Sequence, residues 1–460
     1  MNTIQSQILF NAFEVYDRKL PRFREGQIFH GTVIKLLPND LALIAVSRAP
    51  IVAKLEVALE AGHEYWFVVK KNSDTPMLQV LSSSPQQKSH VHLEQNVQHL
   101  LRQLGLPLTS TNISLVSYLK NEGIPFTKTF IQKASAFLEK TALDQGMEVL
   151  KFMIGRKLPL NEQIFQSLYR FVASDKPLLT QLNGIIQRLQ TNSQHSSPQV
   201  QTLTEQLITI TDKLSTPYRS LTASTASLAQ TESNHLLPVY PSNPEQSVQM
   251  PIFFKQLLAT LGLNHEKAVL QLLRRQLPEE NQLIEQNQSL KPVLLALLKE
   301  NIPAETKQLI QDTVFRLTGQ QLLMKLDDAF VQFLLQIPIP KELADEDAVI
   351  RFESKNKNGQ VDEDYCRIIF YLQLKKLRET VIDVNIQNRV INVTVYNETN
   401  ISQKQLSPYI SLLKQKLETK NYKLSSVKWV SETKKHVQKK VIDDVFLKPI
   451  AGYKGVDIRI

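Results

Sequence analysis

The stretch that decides the fold is Leu374-Lys-Lys-Leu-Arg-Glu-Thr-Val-Ile-Asp-Val-Asn-Ile-Gln-Asn-Arg-Val-Ile-Asn-Val-Thr-Val-Tyr396. Apolar residues alternate along Val381 to Ile386 and again along Val390 to Tyr396, the period of a strand with unlike faces. Gln387-Asn388-Arg389 lies between the two runs and predicts a hairpin. A helix is expected next, with Leu406, Ile410, Leu413 and Leu417 on one face and Ser407-Pro408 as cap and first position. Leu424 to Val430 closes this part as a last strand. Upstream, Val331 to Ile339, Ala348 to Glu353 and Cys366 to Leu374 read as further strands, with Asn356-Lys-Asn-Gly359 as a turn. The simplest packing is a sheet with one helix across it. The domain is expected over residues 328–432.

Towards the N-terminus, residues 24–82 hold about five short apolar runs separated by turn signals at Pro38-Asn39-Asp40, Ala49-Pro50, Gly62 and Asp74-Thr75-Pro76. Five short strands hide their edges best by curling into a small β-barrel. Trp66 and Phe67 read as one core and one covering residue rather than a base-stacking platform. Residues 1–23 are a separate N-terminal segment.

Residues 92–190 read as helical. Gly105-Leu-Pro-Leu-Thr109 recurs as Gly123-Ile-Pro-Phe-Thr127 and, loosely, as Arg156-Lys-Leu-Pro-Leu-Asn161. The glycine ends one helix in a left-handed conformation, proline blocks continuation, and Thr or Asn caps the next helix. Residues 191–250, poor in large apolar groups, read as a linker with one helix near Val200 to Leu214. A second helical domain is expected over 251–327, ending in the phrase Thr318-Gly-Gln-Gln-Leu322. Residues 433–460 form a basic tail whose last residues, Gly455 to Ile460, alternate like a terminal strand. The fold class expected is thus multidomain α+β.

The chain carries 54 Lys and Arg against 44 Asp and Glu, a formal net charge of +10, which favours acidic partners. The excess is concentrated from Tyr371 to Lys440, with 14 basic and 5 acidic residues. Lys414, Lys416, Lys420 and Lys423, with Arg378, are the candidate partner-binding residues. The helix dipole also favours lysines near a helix end. The single cysteine, Cys366, excludes a disulfide or cysteine-rich zinc site within the chain and reads as a small strand residue. His90 and His92 lack ligand partners nearby and read as surface residues. Glu342, Asp345, Glu346 and Asp347, and separately Asp362, Glu363 and Asp364, read as solvated faces. No phosphate loop, nucleophile elbow or metalloprotease helix occurs, so neither enzyme chemistry nor a cofactor or metal is expected. No signal-like start and no stretch of about 18 apolar residues is present. A cytoplasmic location is expected, with signal-free export left open.

The segment from Leu374 to Val430 resembles the C-terminal domain of flagellar hook-length control (FliK-type) proteins. Leu377 stands for the family's leucine, and Thr380, Ile382, Val384 and Ile386 fill the alternating positions after it. Ile391, Val393 and Val395 form the second strand. Leu406, Ile410, Leu413, Lys414 and Leu417 keep the helix spacing. Asn421 stands where a helix-ending glycine is usual, Arg378 stands in place of the glycine after the leucine, and the preceding proline is missing. The whole layout resembles a Gram-positive branch of the group. The resemblance implies docking on the cytoplasmic domain of an export-gate protein and an influence on type III export specificity. The alternative is nucleic-acid binding through the basic C-terminal region.

Overall fold

The computed structural model describes residues 23–46, 49–71, 75–83, 90–174, 176–191, 197–228, 257–263, 289–323, 325–326, 330–357, 360–399 and 401–431. The chain divides into two compact units, residues 1–160 and 161–460. The tail strand expected at Gly455 to Ile460 and the N-terminal segment expected over 1–23, apart from Phe23, lie outside the described residues.

The first unit opens with the expected barrel. Strands β1 (Ile28–Leu37), β2 (Leu41–Val46), β3 (Ala49–Leu55), β4 (Glu64–Lys71) and β5 (Met77–Ser83) close in the order β1-β2-β3-β5-β4. Phe29, Val33, Ile44, Phe67 and Leu78 fill its core. Helices α1 (His90–Gln103), α2 (Ser110–Asn121), α3 (Lys128–Leu138) and α4 (Leu143–Gly155) follow. Trp66, next to Phe67 and so on the opposite side of β4, is also fully buried. Its indole N–H donates to Asn96 Oδ1 of α1 at 3.1 Å, and Phe126 meets it edge-on. One aromatic is therefore core and the other is covered.

The repeated Gly-x-Pro phrase works as punctuation. Gly105, Gly123 and Gly262 have φ of 63°, 59° and 74°, and Lys157, in the loose copy, has 54°. After each, an amide reaches back five residues: Leu106 to Leu101, Ile124 to Leu119, Leu158 to Met153 and Leu263 to Leu258. This is the Schellman pattern, which satisfies carbonyls at a helix end. Thr109, Thr127 and Asn161 then cap the following helices, accepting from Asn112, Phe130 and Gln163 N–H groups.

A polar seam joins the outer wall of the barrel to α2. His30 Nε2 lies 3.6 Å from Glu64, and Lys120 Nζ lies 3.9 Å from the same carboxylate. Both nitrogens are buried without a hydrogen-bond partner among the described residues. Burial, then the charge of Lys120, lowers the His30 pKa to about 3. An imidazole kept neutral by the fold but titrating near 6.5 when unfolded contributes stability above pH 6.5, lost as pH falls towards 3. Thermal melts across this window are expected to show the first unit losing stability on acidification, with His30→Phe flattening that slope. An identical slope in the variant would remove His30 as its source.

The second unit holds helices α5 (Glu162–Val172), α6 (Leu178–Thr191), α7 (Pro198–Leu228), α8 (Leu290–Leu297) and α9 (Ala304–Leu322). The helical stretch read as 92–190 is thus shared between the two units. The stretch read as linker contributes α7, whose Val200, Leu203, Leu207, Ile210 and Leu214 are core residues. Its apolar residues are few but spaced by three and four, which suffices for one buried stripe.

Strands β6 (Lys325–Leu326), β7 (Phe330–Ile337), β8 (Ala348–Lys357), β9 (Gln360–Leu374), β10 (Arg378–Gln387), β11 (Val390–Asn397) and β12 (Lys423–Val430) form one sheet in sequence order. All neighbours are antiparallel except β11 and β12, which run parallel. Helix α10 (Gln403–Glu418) makes the crossover between them, as parallel neighbours require. One face of the sheet meets two sets of helices. Leu335, Ile337, Ala348 and Ile350 join the core built by α6 to α9. Ile386, Ile391, Val393, Val395 and Leu424 form a second core with Ile410 and Leu417 of α10. The fold class is α+β, as the sequence predicts. The expectation of one helix across the sheet is met on the β10–β12 half, and the β7–β9 half is covered by the preceding helices.

The acidic cluster at 342–347 is not wholly a solvated face. Asp347 is buried and pairs with the buried Arg316 of α9 at 2.5 Å. Burial pushes its carboxyl up, while Arg316 and the Leu178 N–H draw it down. Asp345 pairs with Lys375 at the surface. The sequence gives no hint of this pairing, because Arg316 is 31 residues upstream.

Candidate functional site

The candidate site is the layer made by β10, β11, α10 and β12. The hairpin forms because Asn388 and Arg389 take φ of 49° and 60°, the two left-handed residues of a tight turn whose twist suits paired strands. Arg389 is then held by Asp364 at 2.8 Å and Glu363 at 3.8 Å, and it lies over the Tyr422 ring. The second acidic cluster is therefore partly neutralised by this turn. Burial, then Glu363, raises the Tyr422 phenol above its ordinary value.

At the other end of the hairpin, Asn397 is fully buried. Its Nδ2 lies within hydrogen-bonding distance of Leu377 O, Glu379 O and Thr380 Oγ1, and its Oδ1 accepts from Thr399 N–H. Asn397 thus ties the turn before β10 to the start of the crossover. Sequence reasoning missed it, because a lone Asn at a strand end reads as a turn residue. Its neighbour in that turn, Arg378, has φ of 55°. A left-handed conformation costs a residue with a side chain roughly 1–2 kcal/mol. It is the conformation that a glycine at this position would favour.

Helix α10 begins earlier than the Ser407-Pro408 reading. Ser402 is the N-cap, and its N–H donates to Gln405 Oε1 at 3.1 Å. Pro408 lies within the helix. The Ser402–Gln405 pair satisfies the orphan donors of the first turn, so the helix starts there despite the proline. Asn421, with φ of 61°, ends the helix: its N–H reaches Glu418 O and the Tyr422 N–H reaches Leu417 O.

The four-residue apolar stripe is only partly used. Ile410 and Leu417 pack on the sheet, Leu406 is half-buried, and Leu413 is 39% exposed, as is Leu412. The helix covers β12, the last strand of the sheet, which gives its stripe too little surface to rest on.

Lys414 and Lys416 stand exposed on α10, Lys420 follows its C-cap, and Lys423 opens β12, all four exposed. From Gln405 to Lys423 these four face one acidic residue, Glu418. The structure thus brings Lys414, Lys416, Lys420 and Lys423 to the C-terminal end of the helix. Arg378 lies apart from them. It starts β10, whereas Lys423 pairs with Val390 beside the end of β10. A ten-residue strand puts about 30 Å between those ends.

Cys366 points towards the α10 core, half-buried, and burial followed by Asp362 and Glu363 pushes its thiol up to about 11. It behaves as a packing residue. His90 and His92 begin α1, and their side chains lie outside the described residues. Among the described residues no group of three or more His, Cys, Asp or Glu is arranged to hold a metal ion. No described helix is long and apolar enough to cross a membrane.

By fold, then, the chain is a two-unit α+β protein: a closed barrel with helices, and a sheet whose last strands form a β-α-β layer with a basic, leucine-bearing helix surface. No family model matches it, and no solved structure matches it. The chain is similar to the Bacillus subtilis (strain 168) protein "Uncharacterized protein YlqG", with 22% identity over 550 aligned positions that span 95% of this chain and 94% of that protein.

Proposed function

We propose that this chain is a non-enzymatic docking protein that binds a protein partner through α10 and the adjoining start of β12. The observation that carries this reading is the pair of exposed leucines, Leu412 and Leu413, among Lys414, Lys416 and Lys420. Apolar side chains give a contact its anchoring area, and surrounding lysines steer an acidic partner into register. In its narrower form, the partner is an export-gate-type cytoplasmic domain, and the outcome is a change in type III export specificity exerted from the cytoplasm. Two backbone features support that form. Arg378 and Asn421, the residues standing where hook-length control proteins carry glycine, are both left-handed. The turns are kept although the residues differ.

The nucleic-acid alternative has less support. Trp66 and Phe67 of the barrel are sealed from solvent, and Trp429 packs against the α10 core with its indole N–H on Thr399 O. Neither unit thereby gains a tryptophan platform for stacking bases.

Calorimetric titration of the full chain with an export-gate cytoplasmic domain tests the proposal. The triple change Lys414→Glu, Lys416→Glu, Lys420→Glu is expected to weaken binding roughly tenfold or more at low salt, and Leu412→Ser with Leu413→Ser to do the same at any salt. Binding that ignores both sets of changes removes α10 as the surface. No binding by the unaltered chain removes the export-gate partner.

A further inference from the structure

The sheet of the second unit ends, among the described residues, at β12. One side of β12 pairs with β11, from Val390↔Lys423 to Tyr396↔Val430, and among the described residues no strand lies on its other side. Such an edge presents a row of backbone N–H and C=O groups that can receive a further strand. The helix above it is wider than its support. A helix is about 10 Å across, whereas one strand supplies about 4.8 Å of sheet. Helix α10 packs on β12. Ile410 and Leu417 of its apolar stripe reach the sheet, while Leu413 stays 39% exposed. The open edge and the overhanging stripe together make a groove along the eight residues of β12.

Register and charge decide what the groove accepts. Leu424, Val427 and Trp429 of β12 face the α10 core. Lys423, Ser426 and Lys428 pair with Val390, Asn392 and Thr394 and point to the opposite face, because side chains alternate along a strand. Both lysines are exposed, and β12 carries no acidic residue. A strand laid beside β12 would therefore set one row of side chains beneath α10 and the other row beside two lysines. The occupant this selects is an extended segment in which apolar and acidic residues alternate. Opposite charges on neighbouring strands favour pairing, and like charges oppose it. Two copies of β12 side by side would set lysine against lysine, which disfavours self-pairing. Nucleic acid can meet the lysines, but it has neither amides to match the strand edge nor an apolar row to place beneath α10.

We propose that the protein partner of this chain contributes an extended segment of alternating acidic and apolar residues, which adds to the sheet beside β12 under the overhang of α10. This mode of binding rests on the docking role of α10 given above, and it names the conformation and chemistry of the partner's segment. Backbone hydrogen bonds along the edge supply affinity, and the alternating side chains supply selectivity. Lys414, Lys416 and Lys420 then steer the acidic segment towards the groove, and Lys423 and Lys428 fix its register.

Tryptophan emission of the full chain supplies the titration signal. Of its two tryptophans, Trp429 lies on β12 against the α10 core, and Trp66 is sealed in the first unit. The probe is an end-blocked octapeptide of alternating glutamate and valine. It is expected to bind at low salt and to displace a bound export-gate cytoplasmic domain. Only one edge of the peptide pairs with β12. Of two forms N-methylated at alternate amides, one should therefore bind at least tenfold more weakly, roughly the loss of two hydrogen bonds, and the other much less so. Lys428→Glu should weaken the peptide about fivefold or more at low salt, with circular dichroism confirming that the variant is folded. No binding of the peptide overturns the proposal, including the case where a second copy or another segment of the chain already holds the edge. Equal binding of the peptide and both N-methylated forms overturns it as well, because charge alone would then attract them. An export-gate domain that is lost with the triple change at Lys414, Lys416 and Lys420, yet ignores both Lys428→Glu and the peptide, leaves α10 as the surface and overturns strand addition alone.

Discussion

Replacing Gly319 by alanine, one methyl group, is expected to destabilise the second unit by about 3 kcal/mol or more. Gly319 lies in the Thr318-Gly-Gln-Gln-Leu phrase, inside α9, where glycine costs about 1 kcal/mol of helix stability relative to alanine. The cost is offset by the close crossing of α9 over α5. A Cβ at this position would overlap the Ser167 carbonyl oxygen and lie 2.8 Å from Phe171 Cβ and 2.9 Å from the Ser167 carbonyl carbon. Two of the three atoms are backbone, so no rotamer change makes room. The helices have to separate, and Phe165, Leu168 and Phe171 on α5 lose the packing that keeps them buried. Gly184 in α6 gives the opposite case in the same unit. Nothing lies within 4 Å of a Cβ added there, so Gly184→Ala should stabilise by about 0.5–1 kcal/mol through helix propensity and a less flexible unfolded chain. Thermal or urea denaturation of the two variants should therefore move in opposite directions. If Gly319→Ala unfolds with the unaltered chain, the close crossing is not what retains the glycine.

What the sequence discloses here is what it encodes locally. The left-handed residues at Gly105, Gly123 and Asn421, the caps at Thr109 and Thr127, and the Asn388-Arg389 turn all act within five residues of themselves. Their signals are therefore complete in a short window. The alternation from Val381 to Tyr396 is equally local, and it gives both the strands and their faces. Three features are different. Pro408 looks like a helix start until the Ser402–Gln405 pair is seen to form the cap upstream of it. Leu413 keeps the spacing of a buried stripe, but burial depends on how much sheet lies beneath the helix, and the helix rests on the final strand. Asp347 sits among other acidic residues and looks solvated, while its partners are contributed by α6 and α9. For the candidate site the same division holds. The lysines of α10 gather as their spacing implies, whereas the separation of Arg378 from them follows from strand direction, which a charge count does not contain.

The buried pair Arg316–Asp347 carries the second large effect, since it joins four parts of the second unit. Arg316 Nη2 meets Asp347 Oδ2 at 2.5 Å, Nη1 meets Lys176 O at 2.7 Å and Gln181 Oε1 at 3.2 Å, and Nε meets Gln336 Oε1 at 3.1 Å. Asp347 Oδ2 also accepts from Leu178 N–H at 2.9 Å, from the first residue of α6. One guanidinium and one carboxylate thus hold α9, the start of α6, the end of β7 and the approach to β8. The side chains are only 5% and 3% exposed, so solvent does not replace a lost partner. Arg316→Met leaves Asp347 buried without its counter-charge and should destabilise the unit by about 3–5 kcal/mol. Asp347→Leu strands Arg316 and in addition removes the acceptor at the α6 N-terminus, so its effect should be at least as large. The double variant, Arg316→Met with Asp347→Leu, removes both charges together. It should be markedly more stable than the sum of the single changes predicts, because neither ion is left unpaired. A double-mutant cycle by urea denaturation measures this coupling. Additive losses would mean that the pair acts through packing alone, and that the joint between sheet and helices is held by the apolar core around it.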